Sequence, residues 1–200
     1  MLDLIDLNQK SLWISVASIF FNPLFWNIAA RQEYKNHWIT KLFGNRPYCG
    51  CYALAITIFS LGIFRDYLFH DAINDQPKLA SLEIAEIKIA GTVLLVLGNV
   101  FVLTSMWALG VTGTYLGDYF GILMDERVTS FPFNVLDNPM YVGSTLSFLG
   151  VSLLYASPAG VLVSVLVYIC YRIALSFEEP FTAQIYALRD ANAGSSKKNI

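Results

Sequence analysis

The chain has 200 residues, a length that suits one ordinary domain. Its hydrophobic fraction is 56% and its charged fraction 14%, against roughly 45–50% and about 25% in soluble domains. A formal net charge of −2 supplies no basic stripe to displace counterions from phosphates, which argues against a nucleic-acid binder.

The apolar residues come in blocks. Uncharged runs cover residues 11–30, 48–64, 89–110, 140–157 and 159–171. Crossing hydrocarbon takes roughly 20 apolar residues. The first four runs are near that length, and the fifth reaches it by continuing past Arg172 to Phe177. The expected fold is all-α: a polytopic membrane bundle of four to five helices in a single domain, residues 1–200.

Residues 11–30 lack a basic front end and a small-residue cleavage site, so a removed signal is not expected. Asn22-Pro23 interrupts them and kinks the axis, leaving either a bent crossing or a re-entrant helix. Arg31, Lys35, Lys41 and Arg46 follow in a short loop opposed only by Glu33. Such a bias keeps a loop cytosolic, and contact with anionic headgroups is the sharper alternative. Residues 48–69 cross next, with Arg65-Asp66 expected near the far end. Residues 70–88 are acidic on balance, as a lumenal loop would be, and 89–110 return. Residues 140–157 and 159–177 form a hairpin turned at Ser157-Pro158. The tail is then cytosolic, disordered over 186–200, and ends in Lys197-Lys198-Asn199-Ile200, which looks like a dilysine endoplasmic-reticulum retrieval signal.

Cys49, Cys51 and Cys170, with only His37 and His70, make no metal set of known spacing; no metal is expected. Polar chemistry concentrates between Gly110 and Gly143. Gly113, Gly117 and Gly121 recur every four residues, so on a helix they line one bare face, for close packing or for a ligand beside Asp118. Asp125-Glu126-Arg127 reads as a solvated patch, or Arg127 grips a lipid phosphate. Asn138-Pro139 starts a helix, with Asn134 and Asn138 as caps or with that start facing a polar ligand beside Tyr141. Glu178-Glu179 stand at a helix end that carries partial negative charge. They are either solvated acids or acceptors for a cationic ligand.

Several stretches together resemble the phosphatidylethanolamine N-methyltransferase family: Gly113 to Leu123, Arg127-Val128-Thr129, Phe131-Pro132-Phe133-Asn134, Asp137-Asn138-Pro139-Met140-Tyr141 and Glu178-Glu179-Pro180-Phe181-Thr182-Ala183. Phe21-Asn22-Pro23, Trp26-Asn27 and Ala30-Arg31 are similar too, so the resemblance covers nearly the whole chain and is nearest the fungal members. It implies S-adenosylmethionine as methyl donor, a membrane phospholipid as acceptor, phosphatidylcholine as end product and an endoplasmic-reticulum location. The family's cofactor elements are a Gly-x-Gly in the third membrane segment and the paired glutamates. Here the first reads Val96-Leu97-Gly98, keeping the second glycine, and the second is Glu178 and Glu179. The expected roles are Gly98, Glu178 and Glu179 for the cofactor, with Arg127 on the lipid phosphate. Asn138, Tyr141 and Asp118 are the catalytic candidates that orient the amine. Prenylcysteine carboxyl methylation, on a related architecture, and a lipid-binding scaffold stand as alternatives.

Overall fold

The computed structural model describes the backbone of residues 4–198 and the side chains of residues 4–191. Six helices account for most of it: α1 (Lys10–Asn36), α2 (Trp38–Leu42), α3 (Pro47–Asp75), α4 (Ala85–Thr114), α5 (Pro139–Leu154) and α6 (Pro158–Lys198). Four of them, α1, α3, α4 and α6, are long and apolar enough to cross a membrane, and α5 is a shorter apolar helix. The all-α membrane bundle expected from the apolar runs is the fold observed. Lys197 and Lys198, with the two residues after them, lie outside the described side chains.

Residues 11–30 belong to one unbroken 27-residue helix despite Pro23. The amides nearby are bonded across the bend: Asn27 Nδ2 donates to the Pro23 carbonyl at 3.1 Å, and Asn22 Nδ2 to the Leu61 carbonyl of α3 at 3.2 Å. Glu33 does not oppose the basic loop. It is fully buried and accepts the Ile39 and Thr40 backbone N–H groups, at 2.7 and 3.2 Å, and the Thr40 hydroxyl. It thereby satisfies donors that the start of α2 leaves open. At the opposite end of the bundle, Gln76 exchanges two 2.8 Å hydrogen bonds with the Asp6 backbone, tying the chain's beginning to the end of α3.

The α5–α6 hairpin turns through Ala156 in the left-handed region, with Ser157 Oγ accepting the Gly160 N–H at 3.1 Å. One core cluster joins four helices through Ile19, Phe69, Phe148 and Val167. Helix α6 does not end at Phe177 but continues through Pro180. The continuation has its own packing: Phe181 stacks on Tyr119, and Ile185 is buried against the same cluster.

The contact between α4 and α5 is the closest in the molecule, and glycine makes it. A methyl group at Gly91 would meet the Gly150 carbonyl oxygen at 2.9 Å, and one at Gly150 the Gly91 carbonyl at 2.6 Å. One helical repeat away, Gly98 and Gly143 face each other in the same reciprocal manner. Backbone rather than flexible side chain fills the space, so the clash cannot relax by a rotamer change. Gly98→Leu should therefore lower stability by about 1–3 kcal/mol, the usual range for overpacking. A lower Tm in the ligand-free protein would show it; an unchanged Tm would mean that the two backbones are not this close.

Candidate functional site

A cavity of about 590 Å³ lies between α3, α4 and α5, reached by Asn22 and Trp26 of α1 and by Tyr171 and Glu178 of α6. Its α3 wall includes Phe59 and Ile63, which are also about half exposed on the helix exterior.

At the end of the cavity near the start of α5, two hydrogen bonds clasp α5 to α6. Asn138 Nδ2 donates to Glu179 Oε1 at 2.8 Å, and the Tyr141 hydroxyl donates to Glu178 Oε2 at 2.8 Å. The local sequence explains why both bonds form. Pro139 opens α5, needs no N–H partner there and leaves Asn138 as the residue just before the helix. Asn138 makes no side-chain capping bond, so its amide is free to cross to α6. Tyr141 lies nearly one turn further, and Glu178 and Glu179 are adjacent, so two neighbouring positions on each helix meet. Glu178 lines the cavity beside Trp26, while Glu179 is exposed at its rim.

Asp118 does not line the cavity. It accepts the Thr182 hydroxyl at 3.0 Å and so anchors the turn of α6 that follows the glutamates. Arg31, read from the sequence as a loop charge, belongs to the same support. Its Nη2 donates to the Phe177 carbonyl at 2.7 Å, and its guanidinium sits 4.7 Å above the Phe181 ring. That carbonyl lies in the turn loosened by Pro180, which has no N–H to bond four residues back.

The glycine ladder does not run along one helix face. Gly110 has φ 64° and ψ −178°, which bends α4, and the helix ends at Thr114. Leu116 and Gly121 are in the left-handed region on either side of a single 3₁₀ turn, Gly117–Phe120. Four-residue spacing would align these glycines only if the helix continued, and glycines at positive φ break it. Of the ladder, Gly113 reaches the cavity.

Gly98 is buried against Gly143 and Ser147 in the α4–α5 contact and is not among the residues lining the cavity. Arg127 does not line it either; it is 85% exposed and 3.9 Å from the equally open carboxylate of Asp137, which does. The structure therefore brings together Asn138, Tyr141, Glu178 and Glu179, with Asp118 one layer behind, and leaves Gly98 and Arg127 elsewhere. Trp26, Arg65 and Tyr171 are cavity residues that were not singled out for the site. The available signal was Arg65-Asp66 itself: a charged pair inside an apolar span is a functional pointer by default. The helix itself runs on past the pair to Asp75.

Comparison with known proteins shows the family. The family model described as phospholipid methyltransferase matches residues 87–189. Among curated proteins, the phosphatidyl-N-methylethanolamine N-methyltransferase of Emericella nidulans is 54% identical, over 98% of this chain and 95% of the relative. The enzyme of that name from Saccharomyces cerevisiae is also 54% identical, over 98% and 93%. The Homo sapiens phosphatidylethanolamine N-methyltransferase is 48% identical, over 100% and 98%. No solved structure matches the chain. A match across more than half of the chain, and relatives near half identity along its whole length, give the same result: this chain belongs to the phospholipid methyltransferase family.

Proposed function

We propose that this chain transfers methyl groups from S-adenosylmethionine to the headgroup amine of a phospholipid. Phosphatidyl-N-methylethanolamine and its dimethyl counterpart are the acceptors and phosphatidylcholine the end product, in keeping with the names of the fungal relatives. The observation that carries this reading is the double clasp, Asn138 on Glu179 and Tyr141 on Glu178, at the polar end of a largely apolar cavity between membrane-spanning helices.

The donor's chemistry fits that end. When bound, S-adenosylmethionine supplies a methyl group on a cationic sulfur, and two adjacent carboxylates are the groups a cation needs. Glu178, inside the cavity, and Glu179, at its rim, would hold it. Tyr141 donates to one oxygen of Glu178 and, with the Trp26 indole as a second donor to the same carboxylate, fixes its plane toward the cavity. Asn138 does the same for Glu179 through its Nδ2, and its own Oδ1 is left to accept the N–H of the monomethyl amine. The neutral dimethyl amine has no N–H and would be held by the cavity walls alone. Asp118 and Thr182 hold the turn of α6 beneath.

The lipid amine must be neutral to react, although an ordinary alkylammonium has a pKa of ~10. An apolar cavity favours its neutral form, and a neighbouring positive charge favours it further. Holding both partners in line accounts for much of the remaining acceleration. Topology is consistent with a cytosolic site in the endoplasmic-reticulum membrane. The loop bearing Lys41 and Arg46 joins α1 to α3 at the end of the bundle that carries the glutamates, where Phe120 packs against Ile39.

Two measurements test the proposal. Membranes containing the protein, given methyl-labelled S-adenosylmethionine, should place label in di- and trimethylated phospholipid; label in protein methyl esters instead would sink it. Glu179→Gln retains an acceptor for Asn138 and removes the charge, so it should keep the Tm. Donor affinity should fall about tenfold or more, the scale of a lost charge-assisted hydrogen bond. Unchanged donor affinity and turnover would show that Glu179 does not hold the donor.

A further inference from the structure

Arg65 lies well within α3, ten residues before its last residue, Asp75, and lines the cavity with a side chain only 11% exposed. A guanidinium at that depth is costly unless its environment is built for it. Here the flat face lies 4.9 Å from the Phe148 ring, Nε and Nη2 donate to a single oxygen of Asp66 at 3.0 and 2.7 Å, and Nη1 donates to the Tyr171 hydroxyl. Tyr171 is in turn held by Ser144 Oγ at 3.0 Å. Three of the five guanidinium N–H groups are engaged, which leaves two. Asp66 also lines the cavity, 59% exposed, and takes only Nε and one Nη2 hydrogen, so a ligand there would meet the remaining Nη hydrogens. The other titratable groups on the cavity wall are His70, which bonds Tyr155 at 2.7 Å, and, toward the polar end, Asp137 and Glu178.

We infer that Arg65, steadied by Tyr171 and Ser144, receives the phosphodiester of the phospholipid while the amine reaches the Asn138–Glu178 end. The inference rests on the reading that a phospholipid amine is the acceptor, and it adds where the rest of the headgroup sits. Depth supports it. Tyr171 precedes Glu178 by seven residues of the same helix, about 10 Å of rise. From the polar end inward, the cavity therefore presents carboxylates and then a guanidinium, followed by apolar walls at Phe69, Leu95 and Val151. A phospholipid of the adjoining leaflet presents amine, phosphate and acyl chains in that order. Arg127, open to solvent beside Asp137, has no comparable enclosure.

The test compares the full-length wild-type protein with Arg65→Gln and Arg65→Lys in phosphatidylcholine nanodiscs. Equilibrium binding is measured for phosphatidyl-N-methylethanolamine, for a diacyl amine lipid whose linker lacks phosphate, and for S-adenosylmethionine. Wild type should prefer the phosphate-bearing lipid about tenfold, the scale of one charge-assisted hydrogen bond. Arg65→Gln should lose that preference and Arg65→Lys keep part of it, with donor affinity unchanged in both. Equal weakening of both lipids would overturn the inference in favour of a structural role. Weakened donor binding with the lipid preference intact would overturn it in favour of the donor's carboxylate, and no change in either would overturn it outright. If Arg65→Gln does not fold, Arg65→Lys decides, because a retained wild-type ratio contradicts the assignment. Binding is read without turnover. A protein that shows the Arg65-dependent preference but methylates no lipid would refute the proposed activity and leave this inference standing.

Discussion

The close approach of α4 and α5 is the constraint on which the site depends. Two glycines on each helix let backbone meet backbone along one face, from Gly91 against Gly150 to Gly98 against Gly143. In a bilayer, apolar side chains gain little by leaving lipid for one another, so close packing has to hold the helices together. Helix α5 is short, yet this contact fixes its position beside α4 and, through the Ser157 turn, beside α6. Asn138 and Tyr141 are set by that placement, and they meet the glutamates because α5 is held in register.

Charge inside the membrane follows the same logic. Three ionisable groups on the long helices have specific arrangements: Glu33 takes two N–H groups at the start of α2, Glu178 takes Tyr141, and Arg65 takes Asp66 and Tyr171 over a ring. Lipid offers no hydrogen bonds, so a side chain that keeps its charge must bring its own partners. Glu33 is fully enclosed and structural, whereas Glu178 and Arg65 keep capacity toward a cavity. That difference separates a buried acid that stabilises a turn from one available to a ligand.

Pro180 shows how a local defect is put to use. It removes a helix hydrogen bond immediately after the glutamates, and Arg31, Phe181 and Thr182 fasten the turn around it to α1 and to Asp118. A regular helix would leave Glu178 and Glu179 at the mercy of hairpin motion. Cross-links on both sides of them instead hold the carboxylates against α5.

The sequence by itself determined the membrane class, the helix count and the hairpin, because apolar runs of spanning length have few other stable forms in lipid. It also pointed to Asn138, Tyr141, Glu178 and Glu179, since amide, phenol and acid groups stand out against an oily background. The tertiary structure alone decided what each does, because partnership depends on which helix faces which. Gly98 shares its residue type with a ligand-cradling glycine, yet it lies in a helix contact. The four-residue ladder from Gly113 promised one face, but positive φ at Gly110 and Gly121 broke the helix that would have formed it. Arg127 and Arg65 are chemically alike in the sequence. Burial beside Phe148 and Tyr171 in a shared cavity separates them, and such burial depends on residues far along the chain, Tyr171 being 106 positions away.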